Sequence, residues 1–320
     1  MLLSVKRLVL FLACLILLIS IGAIDPSYLS WRQVQLDKIA IDLPALYPVP
    51  VTKTKLAAVA SPTAQLANYD ATALVTAKSY AVIDVDTGTL LLEKNYRQPL
   101  PPASTVKMMT ALLARGYLAQ PVMLTVVASD SADETRPTFI SGDSLNLTDW
   151  LHALLLPSSN TAGRVLARNI DQTGTSYLAA AKQHGQMFGL TDSKFVNATG
   201  IDALGQVMSA RDEALLARQL MRDSQLSQIV SLTKVELMAS PSGQKHTLIN
   251  TNELLTTDPS ARGIKTGTTP QAGEVLVSLF DKPPRKYLVV VMGSQDRYSD
   301  TLNLLFQAER NHQLVQVDWR

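Results

Sequence analysis

The sequence predicts an α+β fold: an antiparallel β-sheet flanked by helices, with a largely helical second lobe. Two observations lead to this prediction. Segments with the pattern of strands lie early in the chain, at residues 79–85 and 89–93, and again near its end, at 261–268, 274–280 and 286–292. The sequence between these groups has mainly helical patterning, and an amphipathic stretch at 299–309 follows the last of these segments. We therefore expect strands from both groups to share one sheet.

The composition is that of a globular protein and argues against several functions. The chain has 320 residues, of which 47 % are hydrophobic, so it can bury a large core in one or two domains. Its formal net charge is +2 and it has no dense block of Lys and Arg, so no nucleic-acid partner is predicted. The four histidines lie far apart and the single cysteine is Cys14, so the sequence predicts neither a metal site nor another cofactor.

The N-terminus has the pattern of an export segment. Lys6 and Arg7 precede an apolar run at residues 8–24, which ends at Asp25-Pro26. We interpret residues 1–24 as a signal peptide or an N-terminal membrane anchor, and the poor cleavage site favours the anchor. The predicted location is therefore the cell envelope, outside the cytoplasmic membrane. Residues 25–75 contain several prolines and little periodicity, which predicts a linker.

The folded part is predicted to begin with a hairpin and to continue mainly through helices. Asp86-Thr87-Gly88 separates the first two strands. A buried helix follows Pro101-Pro102, because a proline pair suits a helix start. Further helices are predicted at 150–156, 161–169, 174–189, 208–221 and 226–230.

Ser104 and Lys107 form the first candidate catalytic pair. A spacing of three residues puts the hydroxyl and the amine on one helical face, at the helix end that favours developing negative charge. The pair is a weak signal alone, since serine commonly caps helices and Ser-x-x-Lys recurs at Ser231 and Ser242.

Two later motifs strengthen the signal from Ser104. Ser158-Ser159-Asn160 falls in a predicted turn between two helices, where side chains are displayed. Lys265-Thr266-Gly267 lies on a predicted strand and occurs once in the chain. Only Ser104 is followed by both motifs in this order, and the ordered trio is typical of class A β-lactamases and penicillin-binding proteins.

The chain resembles the serine-type D-Ala-D-Ala carboxypeptidases, which are low-molecular-mass penicillin-binding proteins. The resemblance covers about residues 76–312, so we assign residues 76–320 to a catalytic domain. It extends beyond the three motifs to the segments at 81–88, 195–202, 209–212, 250–252 and 263–273.

The resemblance implies a role for each residue near the nucleophile. Ser104 is expected to attack the carbonyl between the two terminal D-alanines, with Lys107 as its base. Ser158 is expected to pass a proton to the leaving D-alanine, and Asn160 to orient Lys107 and the substrate amide. A cation on Lys265 is expected to lower the pKa of Lys107.

The resemblance also implies a site for the carboxylate of the substrate. Lys265 and the hydroxyls of Thr266 and Thr268 are expected to hold it, while Gly267 allows the peptide to approach the strand closely. The backbone N–H groups of Ser104 and Thr268 are expected to form the oxyanion hole.

Three positions depart from the family pattern. Ser159 stands where glycine is frequent, and Thr268 stands where many relatives have histidine. The carboxylate-binding arginine of the relatives has no certain match in this chain. Arg297 is the candidate substitute, and the alternative is that Arg297 is an ordinary surface arginine.

The expected function is removal of the terminal D-Ala from peptidoglycan stem peptides through an acyl-enzyme on Ser104, with β-lactams as inhibitors. The alternatives are a DD-endopeptidase, a β-lactamase and a non-catalytic cell-wall-binding protein. A class A β-lactamase needs a glutamate to place the deacylating water, and the segment 189–202 has only Asp192 and Asp202. We expect Asp202 to stabilise a loop instead.

Overall fold

The computed structural model describes residues 75–118, 122–131 and 139–311. The predicted signal or anchor at 1–24, and the predicted linker apart from its last residue, lie outside the described residues. Val75 is buried, and Thr76 donates its backbone N–H to Asp300 over 2.8 Å, so both contact the fold that follows. Within the described ranges, no helix has the length and apolar character needed to span a membrane.

A five-stranded antiparallel sheet contains both groups of predicted strands, in the order β2-β1-β9-β8-β7. Its strands are β1 (Ser79–Asp84), β2 (Leu90–Lys94), β7 (Ala261–Thr269), β8 (Gly273–Lys282) and β9 (Arg285–Ser294). β1 pairs with β9, with Ser79 opposite Met292. The predicted α+β fold, with early and late strands in one sheet, is confirmed.

The central strands are apolar on both faces because both faces are covered. Val290 packs into the larger core with the helical lobe, whereas Val289 and Val291 pack into a smaller core on the other face. This alternation follows from the two-residue repeat of a strand. The smaller core also contains Leu304 and Leu305 of α8 (Arg297–Asn311), the helix that ends the described chain.

The helical lobe packs around the buried Trp150 and the methionines that follow Lys107. Its helices are α1 (Lys107–Tyr117), α2 (Leu147–Leu155), α3 (Asn160–Asp171), α4 (Tyr177–Met187), α5 (Ala210–Arg222) and α6 (Ser224–Ser231). Five of these helices begin at a side chain that accepts a backbone N–H of the first turn: Asn146, Ser159, Ser176, Ser209 and Asp223. The caps at Ser176 and Ser209 explain why α4 and α5 begin two or three residues later than predicted.

Two small β-pairs and one short helix were not predicted. The strands are β3 (Met123–Thr125) with β4 (Ser144–Asn146), and β5 (Lys234–Met238) with β6 (Lys245–Ile249), and the helix is α7 (Leu254–Thr257). β5 and β6 bury only Leu237, His246 and Leu248 and carry charged residues between them. Such a hairpin has too little apolar content to stand out in the sequence.

Candidate active site

Ser104 lies in a 3₁₀ turn at Ala103–Val106 that leads directly into α1. Ala103 has φ = 52°, a backbone conformation that is uncommon for a residue with a side chain. The turn fits closely between two glycines. A Cβ on Gly200 would lie 1.8 Å from the carbonyl oxygen of Ala103, and one on Gly267 would lie 2.7 Å from the backbone nitrogen of Ser104. The nucleophile candidate is thus held where β7 meets the helical lobe, as a strand glycine allows.

Lys107 is fully buried and brings three segments of the chain together. Its Nζ lies 2.9 Å from Ser104 Oγ, 2.8 Å from Asn160 Oδ1 and 2.5 Å from the carbonyl oxygen of Thr199. Three acceptors match the three donors of an ammonium group. These hydrogen bonds bring together three of the predicted site residues, Ser104, Lys107 and Asn160.

The second motif connects α2 to α3, as predicted. Asn160 is the first residue of α3, and Ser159 caps that helix by accepting the N–H of Ala162 over 3.2 Å. Ser158 has φ = 65°, and its buried hydroxyl makes no hydrogen bond with any residue in the described ranges. Ser159 therefore has a capping role, while Ser158 presents a hydroxyl with unused hydrogen-bonding capacity.

The third motif lies near the end of the edge strand β7. Lys265 is buried, and its Nζ donates to the carbonyl oxygen of Thr266 over 2.9 Å. Burial, with the neighbouring Arg297 guanidinium as a second cause, lowers the pKa of Lys265 to about 7. Thr268 is exposed, while the Thr266 hydroxyl lies 2.5 Å from that of Thr251. The expected effect of Lys265 on the pKa of Lys107 stays a prediction.

Arg297 contacts the third motif directly. It begins α8, and its Nη1 donates to the carbonyl oxygen of Gly267 over 3.0 Å, while Nη2 contacts the hydroxyl of Thr268. Glu274 pairs with the same guanidinium at 3.0 Å, which lowers the pKa of that carboxyl. A guanidinium beside Thr268 is suitably placed to bind a carboxylate.

The two aspartates of the segment 189–202 are both engaged elsewhere. Asp192 forms an ion pair with Arg97 at 3.0 Å. Asp202 accepts hydrogen bonds from the Thr269 hydroxyl and the Gln271 backbone, at 2.6 and 3.1 Å. Asp202 therefore stabilises the turn after β7, as predicted.

Sequence reasoning missed three contacts of the site. The Thr199 carbonyl is a ligand of Lys107, Glu274 is the partner of Arg297, and Thr251 contacts Thr266. The sequence carried a signal for two of them, because Thr199 and Thr251 lie in segments that resemble family signatures. Glu274 gave no signal, since its role depends on the pairing of β7 with β8.

In the part of the chain that the structure describes, His, Cys, Asp and Glu form no group of three that could hold a metal ion. A buried lysine that contacts a serine hydroxyl, beside an edge strand that carries Lys-Thr-Gly, is typical of the class that contains penicillin-binding proteins and class A β-lactamases.

Comparison with known proteins specifies this class further. A family model described as D-alanyl-D-alanine carboxypeptidase, peptidase family S11, matches residues 65–296. Because this match covers well over half of the chain, the protein belongs to the family S11 D-alanyl-D-alanine carboxypeptidases.

The chain is less than 30 % identical to the two individual relatives described next. The chain is 27 % identical to the D-alanyl-D-alanine carboxypeptidase DacF of Bacillus subtilis, over 68 % of this chain and 57 % of the relative. It is 29 % identical to DacC of Escherichia coli, over 72 % of this chain and 60 % of the relative. The chain therefore spans less than two thirds of the length of these relatives.

The structure of the Streptomyces K15 DD-transpeptidase superimposes with a TM-score of 0.69 and 23 % identity. The match covers 74 % of this chain and 98 % of that protein. At this identity the likeness supports the fold.

Proposed function

We propose that the protein is a serine DD-carboxypeptidase that removes the terminal D-Ala from peptidoglycan stem peptides. The observation that carries the proposal is the contact of 2.9 Å between Lys107 Nζ and Ser104 Oγ, beside the strand that bears Lys265 and Gly267. A serine hydroxyl is inert at neutral pH and needs a base at this distance.

The acylation step assigns a role to each residue around Ser104. Lys107, in its neutral form, takes the proton of Ser104 as Oγ bonds to the carbonyl carbon of the penultimate D-Ala. The backbone N–H groups of Ser104 and Thr268 stabilise the oxyanion. The C–N bond then breaks, and Ser158 relays a proton to the departing amine. Asn160 holds Lys107 in place through its 2.8 Å hydrogen bond.

The substrate carboxylate is held on the other side of the site in this proposal. Lys265, Thr266 and Thr268 bind it from β7, and Arg297 adds a second cation. Support comes from the contacts of Arg297 with Gly267 and Thr268. Gly267 leaves room for the peptide because it has no side chain.

Water then hydrolyses the ester and regenerates the Ser104 hydroxyl. Asp192 is paired with Arg97, and Asp202 is bonded to Thr269 and Gln271, so neither is placed as a dedicated base for that water. The acyl-enzyme formed with a β-lactam is therefore long-lived, which makes β-lactams inhibitors and disfavours a β-lactamase.

The substrate class also determines where the protein acts. Peptidoglycan lies outside the cytoplasmic membrane, so the chain is exported. The basic and apolar segment at residues 1–24 supports this, and it supports attachment to the membrane through the N-terminus.

Intact-mass spectrometry of the full chain mixed with a penicillin tests the proposal. We expect a long-lived adduct of one penicillin that is absent in Ser104→Ala, and release of D-Ala from an acylated tripeptide ending in D-Ala-D-Ala. Loss of the nucleophile lowers this hydrolysis by about 10⁴-fold or more. Ser231→Ala is the matched control, because Ser231 heads another Ser-x-x-Lys motif outside this site.

Other outcomes separate the alternatives. An adduct that forms and clears within seconds favours a β-lactamase. Cleavage of cross-linked dimers in preference to free pentapeptides favours an endopeptidase. No adduct and no D-Ala release would refute the proposal and favour a non-catalytic cell-wall-binding protein.

A further inference from the structure

Glu213 is a buried carboxyl group next to the 3₁₀ turn that carries Ser104. The proposed mechanism does not use this group. It lies in the first turn of α5, with no exposed surface, and its Oε1 contacts the hydroxyl of Thr105, the residue after Ser104. Thr105 is equally buried. No motif in the sequence singled out either residue.

The hydrogen bonds of Thr105 reveal the state of this carboxyl group. Thr105 Oγ1 lies 2.7 Å from the carbonyl oxygen of Pro102 and also contacts Glu213 Oε1. A hydroxyl group has one proton, and a carbonyl oxygen can only accept. An ionised Glu213 would have to share this one proton with Pro102 in a weaker bifurcated bond. If Glu213 is protonated, it donates to Thr105 while Thr105 donates to Pro102, and both contacts are full hydrogen bonds.

The second oxygen of Glu213 leads to the same conclusion. Oε2 is buried and has no hydrogen-bond partner in the described part of the chain. An ionised carboxylate would leave negative charge on this oxygen, which is costly away from water, whereas the carbonyl oxygen of a neutral acid tolerates the site better. Burial, supported by the charge of Asp212, raises the pKa of Glu213 to about 8, even when Thr105 is taken as a donor to the ionised carboxylate, which lowers the pKa.

The neighbouring charge that acts on Glu213 is that of Asp212, which opposes its ionisation. Asp212, its neighbour, is paired with Arg211 at 2.7 Å, and Lys107 of α1 is bonded to Ser104, Asn160 and Thr199. On the sheet strands that pack against α5, the ion pairs are Asp84 with Arg285, Glu274 with Arg297, Asp281 with Arg262, and Lys282 with Glu309. β9 also contributes Lys286 and Tyr287, and α6 carries no charged residue.

The hydrogen-bonded chain ends at the backbone that presents the nucleophile. A Cβ on Gly267 would lie 3.3 Å from the carbonyl oxygen of Pro102, so this carbonyl lies next to β7. The chain from Glu213 through Thr105 to Pro102 therefore connects α5 to the start of the Ser104 turn.

We propose that Glu213 is protonated at neutral pH and positions Ser104 by donating a hydrogen bond to Thr105, which in turn donates to the carbonyl of Pro102. Glu213 is thus a positioning residue. The positioning role rests on the proposed function, whereas the protonated state does not.

Thermal melting between about pH 5 and pH 9 tests the protonated state, with Glu213→Gln as the main variant. The amide of Gln donates to Thr105 at every pH. Because the pKa is raised from 4.5 to about 8 on folding, the wild type loses stability as the pH rises through this window. We expect the Tm of Glu213→Gln relative to wild type to rise by about 5 °C or more across the window and then to level off. Exposed Glu93 provides the control, and Glu93→Gln should show no such trend.

The acylation rate with a fluorescent penicillin tests the positioning role. We expect the rate of Glu213→Gln divided by that of wild type to rise several-fold from about pH 6 to pH 9, because groups common to both proteins cancel. Glu213→Met, which has no donor, should acylate several-fold more slowly than Glu213→Gln at each pH.

Two results would overturn the proposal: a difference in Tm that is constant with pH, or a Glu213→Met variant that acylates at the rate of Glu213→Gln. Absence of acylation in every protein, wild type included, would refute the proposed function. The melting curves would then still decide the protonation state.

Discussion

The two buried lysines of the site, Lys107 and Lys265, differ in the groups that surround their amines. Lys107 has three oxygen acceptors from three different segments. Lys265 donates to the adjacent Thr266 carbonyl, and its neighbour is the guanidinium of Arg297. Burial of a cation is tolerated only when its donors are satisfied, so its environment determines how readily it loses the proton. The comparison shows that the two lysines, although equally buried, lie in different electrostatic environments.

Of the changes predicted here, replacement of Lys107 should have the largest effect, which is on the rate of acylation. Lys107→Met preserves the length and apolar stem but leaves Ser104 without its base, so we expect acylation by penicillin to fall about 10²- to 10⁴-fold. Stopped-flow acylation measures this rate. Lys234 provides a matched control, since it ends a second Ser-x-x-Lys motif and is exposed. Acylation of Lys107→Met at more than a tenth of the wild-type rate would mean that another group is the base.

Substrate binding should depend on pH through the charge of Lys265. With a pKa of about 7, Lys265 loses its charge as the pH rises through neutrality, so its attraction for the substrate carboxylate weakens. We expect KM for a peptide ending in D-Ala-D-Ala to rise roughly tenfold from about pH 6 to pH 9, on the scale of one charge-assisted hydrogen bond. In Lys265→Gln this rise should be absent, and a rise of the same size would refute the assignment.

The same shift predicts a change in stability. Because folding lowers the pKa of Lys265 from 10.5 to about 7, its contribution is complete above pH 10.5 and is lost as the pH falls towards 7. Lys265→Met should therefore raise Tm relative to wild type most strongly below pH 7. Thermal melting at a series of pH values gives the result independently of activity.

Particular residues show how far the sequence could predict this site. Ser104, Lys107 and Asn160 could be found because local spacing places them at helix starts, and the motif order singles out one Ser-x-x-Lys among three. Glu213 could not be found, since only the packing of α5 beneath the turn places its carboxyl on Thr105. The β5–β6 hairpin was missed because its strands bury only Leu237, His246 and Leu248. Local pattern thus predicts the elements, while contacts between distant segments require the fold.

The smallest predicted effect concerns Glu274, the ion-pair partner of Arg297. Glu274 is about one-third exposed and pairs with Arg297, so it competes with a substrate carboxylate for the same guanidinium. Glu274→Gln keeps the shape and removes this charge, and we expect KM for the D-Ala-D-Ala peptide to fall about two- to threefold, as suits a solvent-screened pair. Arg297→Gln should change KM in the opposite direction, and steady-state kinetics on both variants measures the two effects. If KM falls or stays constant in Arg297→Gln, Arg297 takes no part in binding the carboxylate.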